Sequence, residues 1–460
     1  MNHLLTGRRR ALVHGLGRFG GGREAVRYLA RQGLAVRIAD KSAGDDLQAV
    51  REALADLPGL DWQLGREDDG LLADVDLFVA NPAVPDQHPL LAAARARGVA
   101  ITQEADLFLA GYPGRVVAVT GTNGKSTTST LLHKALARSG VDALLGGNIG
   151  HSLLADEAQW RSQQVAVLEI SSFQLDRLAP TARVHGAVFT RVLKDHVDRH
   201  GTLADYHAAK GRLAPAATTF VVHAADDPVA SAYTATAPLR LRYGAGAPGP
   251  HTAGVLDGWV ALRTGDGPAE RIVHEDALRL LGAFQVENVM AAGLAARLLG
   301  GTTTGIGLAM ATAAPLPFRL QLLATRGGVR IYDNGVSTEV ESTRSALQAL
   351  RGCVHWLGGG KSKDGDYRAV ADAVAPHIAS AHLFGAAAQP LAAAFAGRVP
   401  VTVSERLPAA YAQALAAAAP GEALLWSPAF ASFDQYPNFR ARAQEFHALV
   451  TDRAAAAAGG

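Results

Sequence analysis

The chain of 460 residues holds one cysteine, Cys353, and this excludes a disulfide framework and a Cys-based zinc site. With no catalytic pattern beside it, Cys353 reads as a buried strand residue rather than a nucleophile. No apolar run approaches the roughly 20 residues that span a bilayer. The arginines Arg8-Arg9-Arg10 run into Gly15 and Gly17 too soon for a signal-peptide core. Charge of one sign is also missing: 44 Lys plus Arg against 42 Asp plus Glu leave a formal net charge of +2. Nucleic acid and membrane surfaces are therefore not expected partners. Lysine is scarce, with seven in the chain at 41, 125, 134, 194, 210, 361 and 363. Arginine supplies positive charge elsewhere, so a retained lysine marks a place where a smaller, deprotonatable amine is needed. The absences describe a cytoplasmic, soluble enzyme, and the length predicts three domains. The alanine-rich tail, 454–460, reads as frayed low-complexity chain.

The most telling segment is Gly121-Thr122-Asn123-Gly124-Lys125-Ser126-Thr127, between the apolar run Val116 to Val119 and a helical pattern over Thr128 to Ser139. A strand, a glycine-rich turn and a helix N-terminus gather backbone N–H groups, a lysine and a hydroxyl around one point, which suits nucleotide phosphates. Lys125 can reach the β/γ-phosphates and Ser126 can hold Mg²⁺. Val119 stands where the common pattern has its first glycine, so Gly121 makes the turn later.

Upstream, Ala11 to His14, Arg23 to Gln32 and Ala35 to Ala39 alternate as strand, helix and strand, with further runs at Leu77 to Ala80 and Val99 to Thr102. This is an open α/β sheet. Its first turn, Gly15-Leu16-Gly17-Arg18-Phe19-Gly20, with Asp40 beyond it, matches a dinucleotide fingerprint. Alone it reads as a diphosphate site, and a nicotinamide-dependent oxidoreductase is the competing enzyme class. The rhythm restarts near residue 103, through Val165 to Ile170, Val184 to Phe189 and Thr219 to Val222. A third unit begins after Pro315-Leu316-Pro317, with strands at Val329 to Tyr332, Val354 to Leu357, His382 to Phe384 and Leu424 to Trp426. Glu169, at a strand end, can complete a Mg²⁺ shell with Ser126. Lys194 to His200 is dense in ligand types, but H-x-x-x-H spacing on a loop is common by chance and gives a zinc site only weak support. Lys210, read by itself, is a solvated helix lysine.

Taken in order, G-T-N-G-K-S-T, G-G-N-I-G (Gly146 to Gly150), E-I-S-S-F-Q-L (from Glu169), D-H-V-D-R-H (from Asp195), Y-H-A-A-K (to Lys210), P-F-R (to Arg319), L-G-G-G-K-S-K-D-G-D-Y (Leu357 to Tyr367) and S-P-A-F-A-S-F-D-Q-Y-P-N-F (Ser427 to Phe439) resemble the Mur ligases, and among them the glutamate-adding member. The resemblance implies three domains: an N-terminal Rossmann-like domain for a UDP-sugar over 1–102, a central P-loop ATPase over 103–315, and a C-terminal Rossmann-like domain for the amino acid over 316–460. It implies ATP-dependent addition of D-glutamate to UDP-N-acetylmuramoyl-L-alanine through an acyl phosphate, by a monomer with two Mg²⁺ ions.

By the same resemblance Gly15, Gly17, Arg18, Phe19, Gly20, Asp40, Asn81, Ala83, Asn148, Ser171 and Gln174 would bind the UDP-sugar. Gly121 to Thr127 with Asn288, Arg319, Asp333 and Asn334 would face ATP. Thr338, Lys361, Ser432, Phe433 and Phe439 would surround the amino acid. Lys125, Glu169, His196 and Lys210 would be catalytic, with Lys210 carbamylated by CO₂ and holding the second Mg²⁺ together with His196, while Ser126 and Glu169 hold the first. Three departures stand out. Gly282 to Asn288 lacks the family's His-Asn pair, leaving Phe284 to pack on a base. Arg191 replaces an asparagine. Val336 stands where a glutamate-site lysine is common, so L-glutamate or another amino acid, or a non-ligating paralogue, are the alternatives.

Overall fold

The computed structural model describes residues 2–17, 20–42, 44, 47–244, 246–362 and 365–451. Three β-sheets alternate with helices along the chain, so the expected α/β class with three sheets is what the molecule has. The first sheet comprises β1 (Arg10–His14), β2 (Ala35–Asp40), β3 (Asp61–Leu64), β4 (Leu77–Ala80) and β5 (Ala100–Thr102), all parallel in the order β3-β2-β1-β4-β5. Parallel strands bury both faces. That is why Leu77, Phe78, Val79 and Ala80 form an unbroken apolar run, none more than 3% exposed. The order reverses between β1 and β4, the crevice where open sheets take ligands.

The second sheet has nine strands: β6 (Arg115–Thr120), β7 (Ala143–Gly147), β8 (Val165–Glu169), β9 (Val184–Phe189), β10 (Ala217–Ala224), β11 (Arg240–Tyr243), β12 (Thr252–Leu256), β13 (Trp259–Arg263) and β14 (Glu270–His274). Their order is β14-β13-β12-β11-β10-β9-β6-β8-β7, parallel except for the antiparallel edge β12 to β14. The third sheet runs β15-β16-β20-β17-β18-β19. It is built from β15 (Gln321–Arg326), β16 (Val329–Asp333), β17 (Val354–Gly359), β18 (Ser380–Phe384), β19 (Val401–Ser404) and β20 (Ala423–Ala429), with only β15 antiparallel.

The chain divides into two compact units. One is residues up to Ala277 with Glu287–Ala311, and the other is Leu278–Val286 with residues from Thr312 onward. The first two sheets share the first unit because one apolar core runs through both, from Val13 and Leu29 to Ala118 and Leu168. Against it the partly buried Trp160 packs on Tyr28, Phe108 and Tyr112 at ring separations of 6.0, 5.6 and 5.6 Å. Aromatic contacts of this kind contribute about 1 kcal/mol each beyond their buried area. Among the described residues no helix is long and apolar enough to cross a membrane.

Candidate functional site

The phosphate loop follows from the strand that feeds it. β6 stays paired with β8 and β9 through Val119 and Thr120, so the chain turns only at Gly121, at φ 147. Helix Lys125–Arg138 begins behind Gly124, which is left-handed at φ 86. A Cβ on Gly121 would lie 1.7 Å from Thr190 Oγ1, and one on Gly124 would lie 2.3 Å from Asn288 Oδ1. Neither position tolerates a side chain. The loop is braced from outside: Thr122 N–H donates to the Arg191 carbonyl (2.7 Å), Thr190 Oγ1 donates to Asn123 O (2.6 Å), and Asn288 Oδ1 accepts from Thr128 Oγ1 (3.2 Å).

Two lysines converge on this loop. Lys125 Nζ donates to the Gly121 and Thr122 carbonyls at 3.0 and 2.8 Å, and Lys210 Nζ donates to the Gly121 carbonyl at 2.7 Å. Lys210 is 2% exposed, which overturns its reading as a solvated helix lysine. Burial, and after it the nearby Lys125, push its ammonium well below the usual value, favouring a neutral amine. Its Nζ lies 4.8 Å from the ring centre of Tyr206, whose hydroxyl is 2.8 Å from Thr122 Oγ1. The His196 ring borders the same tyrosine at 6.2 Å and has Nε2 3.3 Å from Asp195 Oδ2. Tyr206 was not singled out in sequence, although it lies one helical turn before Lys210 and so on the same face.

Glu169 ends β8 and is 1% exposed. Asn148 Nδ2 donates to its Oε1 at 3.0 Å, whereas Oε2 is buried without a hydrogen-bond partner among the described residues. A buried carboxylate oxygen left over on the strand beside the phosphate loop, together with the hydroxyl of the buried Ser126, suits a hard cation such as Mg²⁺. Ser171 and Gln174, by contrast, satisfy each other as a capping box at the start of helix Ser172–Asp176. Arg191 forms a two-pronged ion pair with Glu287 and a second pair with Asp226 at 2.8 Å. The asparagine-to-arginine departure therefore has partners of its own.

At the first sheet, Gly15, Gly17 and Gly20 all have positive φ. Asp40 spends both oxygens on backbone amides, accepting from Leu16 N at 2.9 Å and Ser42 N at 3.0 Å. Arg18 and Phe19 lie outside the described residues. Asn81 Oδ1 accepts from Ala83 N at 2.9 Å, closing the turn after β4. Arg177 and Arg199 grip that turn by its carbonyls, at 3.2 Å to Asn81 and 3.1 Å to Pro82. No local signal marks Arg177, and Arg199 lies within the D-H-V-D-R-H segment without a role of its own there.

In the second unit Arg319 lies between two left-handed residues, Phe318 at φ 66 and Leu320 at φ 48. Asp333 is fully buried at the end of β16, bonded to His447 Nε2 (2.5 Å) and Gly335 N (2.7 Å), and burial raises its carboxyl. Asn334 Nδ2 donates to Ser427 Oγ at 3.0 Å. Lys361, exposed, pairs its backbone with Ala431. Ser432 is 2% exposed and Phe433 71% exposed, while Thr338 and Phe439 are half-buried. Arg442, missed in sequence, donates to the carbonyls of Gly359, Phe430 and Ala431 beneath these residues. Val336 offers only its backbone, to the Phe318 carbonyl (3.2 Å). Phe284, expected to be available for a base, packs against the apolar core of the third sheet. Cys353 is half-buried just before β17 rather than a buried strand residue.

A braced phosphate loop, two convergent amines and a half-satisfied buried carboxylate define an enzyme that handles nucleotide phosphates. Comparison with known proteins sharpens the class. The model of the Mur ligase middle domain matches residues 119–296, that of the Mur ligase MurD-like N-terminal domain residues 9–103, and that of the Mur ligase glutamate ligase domain residues 318–430. The chain is 35% identical to UDP-N-acetylmuramoylalanine–D-glutamate ligase of Acidobacterium capsulatum, with 98% of each chain covered. It is 33% identical to the protein of that name from Solibacter usitatus, over 96% of this chain and 97% of the other. The solved UDP-N-acetylmuramate-alanine ligase of Thermotoga maritima has the same fold at a TM-score of 0.62 and 16% identity, covering 95% and 98%. The MurF ligase of that organism, in complex with ADP, aligns at 0.57 and 16% identity, covering 96% and 97%. The chain belongs to the Mur ligase family. It is an ATP-dependent acid–amino-acid ligase, which replaces the oxidoreductase alternative.

Proposed function

We propose that this ligase joins D-glutamate to UDP-N-acetylmuramoyl-L-alanine in the cytoplasm, as a monomer, forming a peptidoglycan precursor with release of ADP and phosphate. The observation that carries the reading is the convergence of Lys125 and Lys210 on the Gly121 carbonyl, in a chain whose relatives bear that activity in their names. In the proposed reaction the alanyl carboxylate oxygen attacks the γ-phosphorus of ATP, ADP departs, and an acyl phosphate results. The neutral amine of glutamate then attacks the acyl carbon, phosphate leaves with the carbonyl restored, and the amine proton passes to solvent. Lys125 and the loop amides neutralise charge on the phosphoryl group in flight.

Two Mg²⁺ ions would supply further charge neutralisation, one held by Ser126 and Glu169, the other by His196 and a carbamylated Lys210. A neutral Lys210 amine is the form able to add to CO₂, losing a proton as the carbamate forms. We assign the UDP-sugar to domain 1–102, with Gly15 to Gly20, Asp40, Asn81, Ala83, Asn148, Ser171 and Gln174 as contacts. ATP is assigned to domain 103–315 with Asn288, aided by Arg319, Asp333 and Asn334. Glutamate is assigned to domain 316–460 with Thr338, Lys361, Ser432, Phe433 and Phe439. Val336 favours a second reading, the same chemistry with L-glutamate or another amino acid. Phosphate release with ATP, Mg²⁺ and UDP-N-acetylmuramoyl-L-alanine, compared across D-glutamate, L-glutamate and other amino acids, separates the two. Release with D-glutamate and its amide product supports the first, release with another amino acid supports the second, and silence throughout refutes both.

A further inference from the structure

The strand starts of the third sheet carry a cluster that ligation does not use. Cys353 immediately precedes β17 and Glu422 immediately precedes β20, and these parallel neighbours pair Val354 with Ala423. Cys353 and Glu422 therefore stand abreast. His355, two residues along β17 from Cys353, points to the same face. Its Nε2 lies 2.9 Å from Glu422 Oε2 and 3.8 Å from Cys353 Sγ, and the three ligand atoms all fall within 4.8 Å of one another. A tetrahedral divalent ion, with bonds of about 2.0 to 2.3 Å, holds its ligand atoms on the order of 3.5 Å apart. The two edges at His355, 2.9 and 3.8 Å, lie on either side of that spacing.

The hydrogen-bond chain behind the histidine bears on what fills it. His355 Nδ1 is 2.7 Å from Ser380 Oγ, which is 2.7 Å from His382 Nε2, and His382 Nδ1 is 2.9 Å from Thr402 Oγ1. Each link carries one proton, so the chain has two self-consistent directions. In one, His355 donates Nε2–H to Glu422. In the other, His355 donates Nδ1–H to Ser380, Ser380 to His382 and His382 to Thr402, which leaves the Nε2 lone pair facing a carboxylate and a sulfur. Lone pairs so placed call for a cation between them, and a second partner on Nδ1 is how metal-bound imidazoles are oriented. The Ala419 amide donates to Glu422 Oε2 at 2.7 Å and holds the carboxylate facing His355 Nε2.

We propose that Cys353, His355 and Glu422 form a site for a borderline divalent ion of the zinc type, three protein ligands with the fourth position open to solvent. A lone cysteine argues in sequence against a Cys-based zinc site, but the fold supplies the two partners that the sequence spacing hides. Cys353 also lines a surface groove with Leu350, Pro376 and Ile378, which gives an ion access. On binding, the Cys353 thiol gives up its proton to solvent and its sulfur bonds the metal. The site lies at the N-terminal ends of the strands, while Asp333 and Lys361 follow from the C-terminal ends, so the ion ties β17 to β20 without entering the reaction.

The test is a cobalt titration of the chelator-treated full-length protein without substrates. One equivalent of Co²⁺ should raise a thiolate-to-metal charge-transfer band, and Zn²⁺ should abolish it by displacement. Because Cys353 is the single cysteine, the band reports this site alone, and Co²⁺ at the sulfur-free group His14, Glu67 and His88 gives none. Cys353→Ser should remove the band with circular dichroism unchanged, and Glu422→Gln should weaken Co²⁺ binding at least about tenfold. Ser380→Ala should weaken it by roughly 10- to 100-fold. As a measurement that needs no variant, Zn²⁺ should slow the reaction of Cys353 with a disulfide reagent at least about tenfold, since a metal-bound thiolate is shielded. No band in the parent protein, or a thiol that reacts equally fast in excess Zn²⁺, overturns the proposal.

Discussion

In the first unit the glycines that open two helices share one backbone conformation, while the first turns of the helices behind them differ in charge. Gly20 precedes helix Gly21–Arg31 with φ 88 and ψ −15, and Gly124 precedes helix Lys125–Arg138 with φ 86 and ψ −14. Each leaves the amides of a helix N-terminus pointing forward, a place that favours an anion. The earlier helix carries Glu24 in its first turn, and Glu104 Oε2 stands 2.4 Å from where a Cβ on Gly21 would be. The later helix opens with Lys125-Ser126 and has no acid in its first turn. The conformation of the opening glycine is thus shared, and side-chain charge separates a helix start flanked by carboxylates from one that opens on a lysine.

The sharpest way to break this contrast is Lys125→Ala. Phosphate release should fall on the order of 10³-fold, with UDP-sugar binding by calorimetry unchanged, and turnover within tenfold of the parent would dissolve the distinction. Lys210→Arg comes next, because a guanidinium cannot shed its proton where burial demands a neutral group. Ligation should be lost and urea unfolding should report about 3 kcal/mol of destabilisation. In the parent the depressed Lys210 makes the unfolded chain bind more protons, so this group's contribution to stability rises with pH toward the unfolded value near about 10.4.

The matched pair Gly124→Ala and Gly20→Ala compares the turns themselves. A left-handed alanine costs about 1 to 2 kcal/mol at either. At Gly124 it also meets Asn288, whereas at Gly20 its nearest neighbour is Arg23 at 3.6 Å. Thermal melts should find roughly 3 kcal/mol at Gly124 against about 1 at Gly20; equal losses would show that the two turns are braced alike. The smallest effect belongs to Glu104→Gln. Burial, partly offset by the Ser152 hydroxyl, raises the Glu104 carboxyl. The folded chain therefore holds that proton more tightly, and stability is lost as pH rises through the raised value. The substitution should stabilise by about 1 kcal/mol at pH 8 and by nothing at pH 4, and a gain independent of pH would mean the carboxylate is not the cause.

Much of this was legible along the chain. Strands at the heart of all three sheets, such as β1, β4, β6, β8, β16 and β17, announce themselves as short apolar runs, whereas polar strands such as β3 and β11 do not, and Val119 in place of glycine signals the late turn at Gly121. The antiparallel edge β12 to β14 was missed although Asp257-Gly258, both at positive φ, is the residue pair a two-residue hairpin turn requires. Lys210 was misread because its neighbours Ala209 and Gly211 give a helix surface no distinction, and its partner carbonyl is 89 residues away. Arg177, Arg199 and Arg442 act on carbonyls brought to them by packing, which no local pattern encodes.

The α/β class, the phosphate loop and the glycines at its turns are written along the chain, because strand period, helix start and permitted φ depend on a residue and its immediate neighbours. It took packing to make Lys210 a buried amine, to set Asn148 on Glu169, and to bring Cys353 to His355 and Glu422. Desolvation and Coulomb energies follow distance in space and the water excluded there, and those quantities exist only once distant segments have packed.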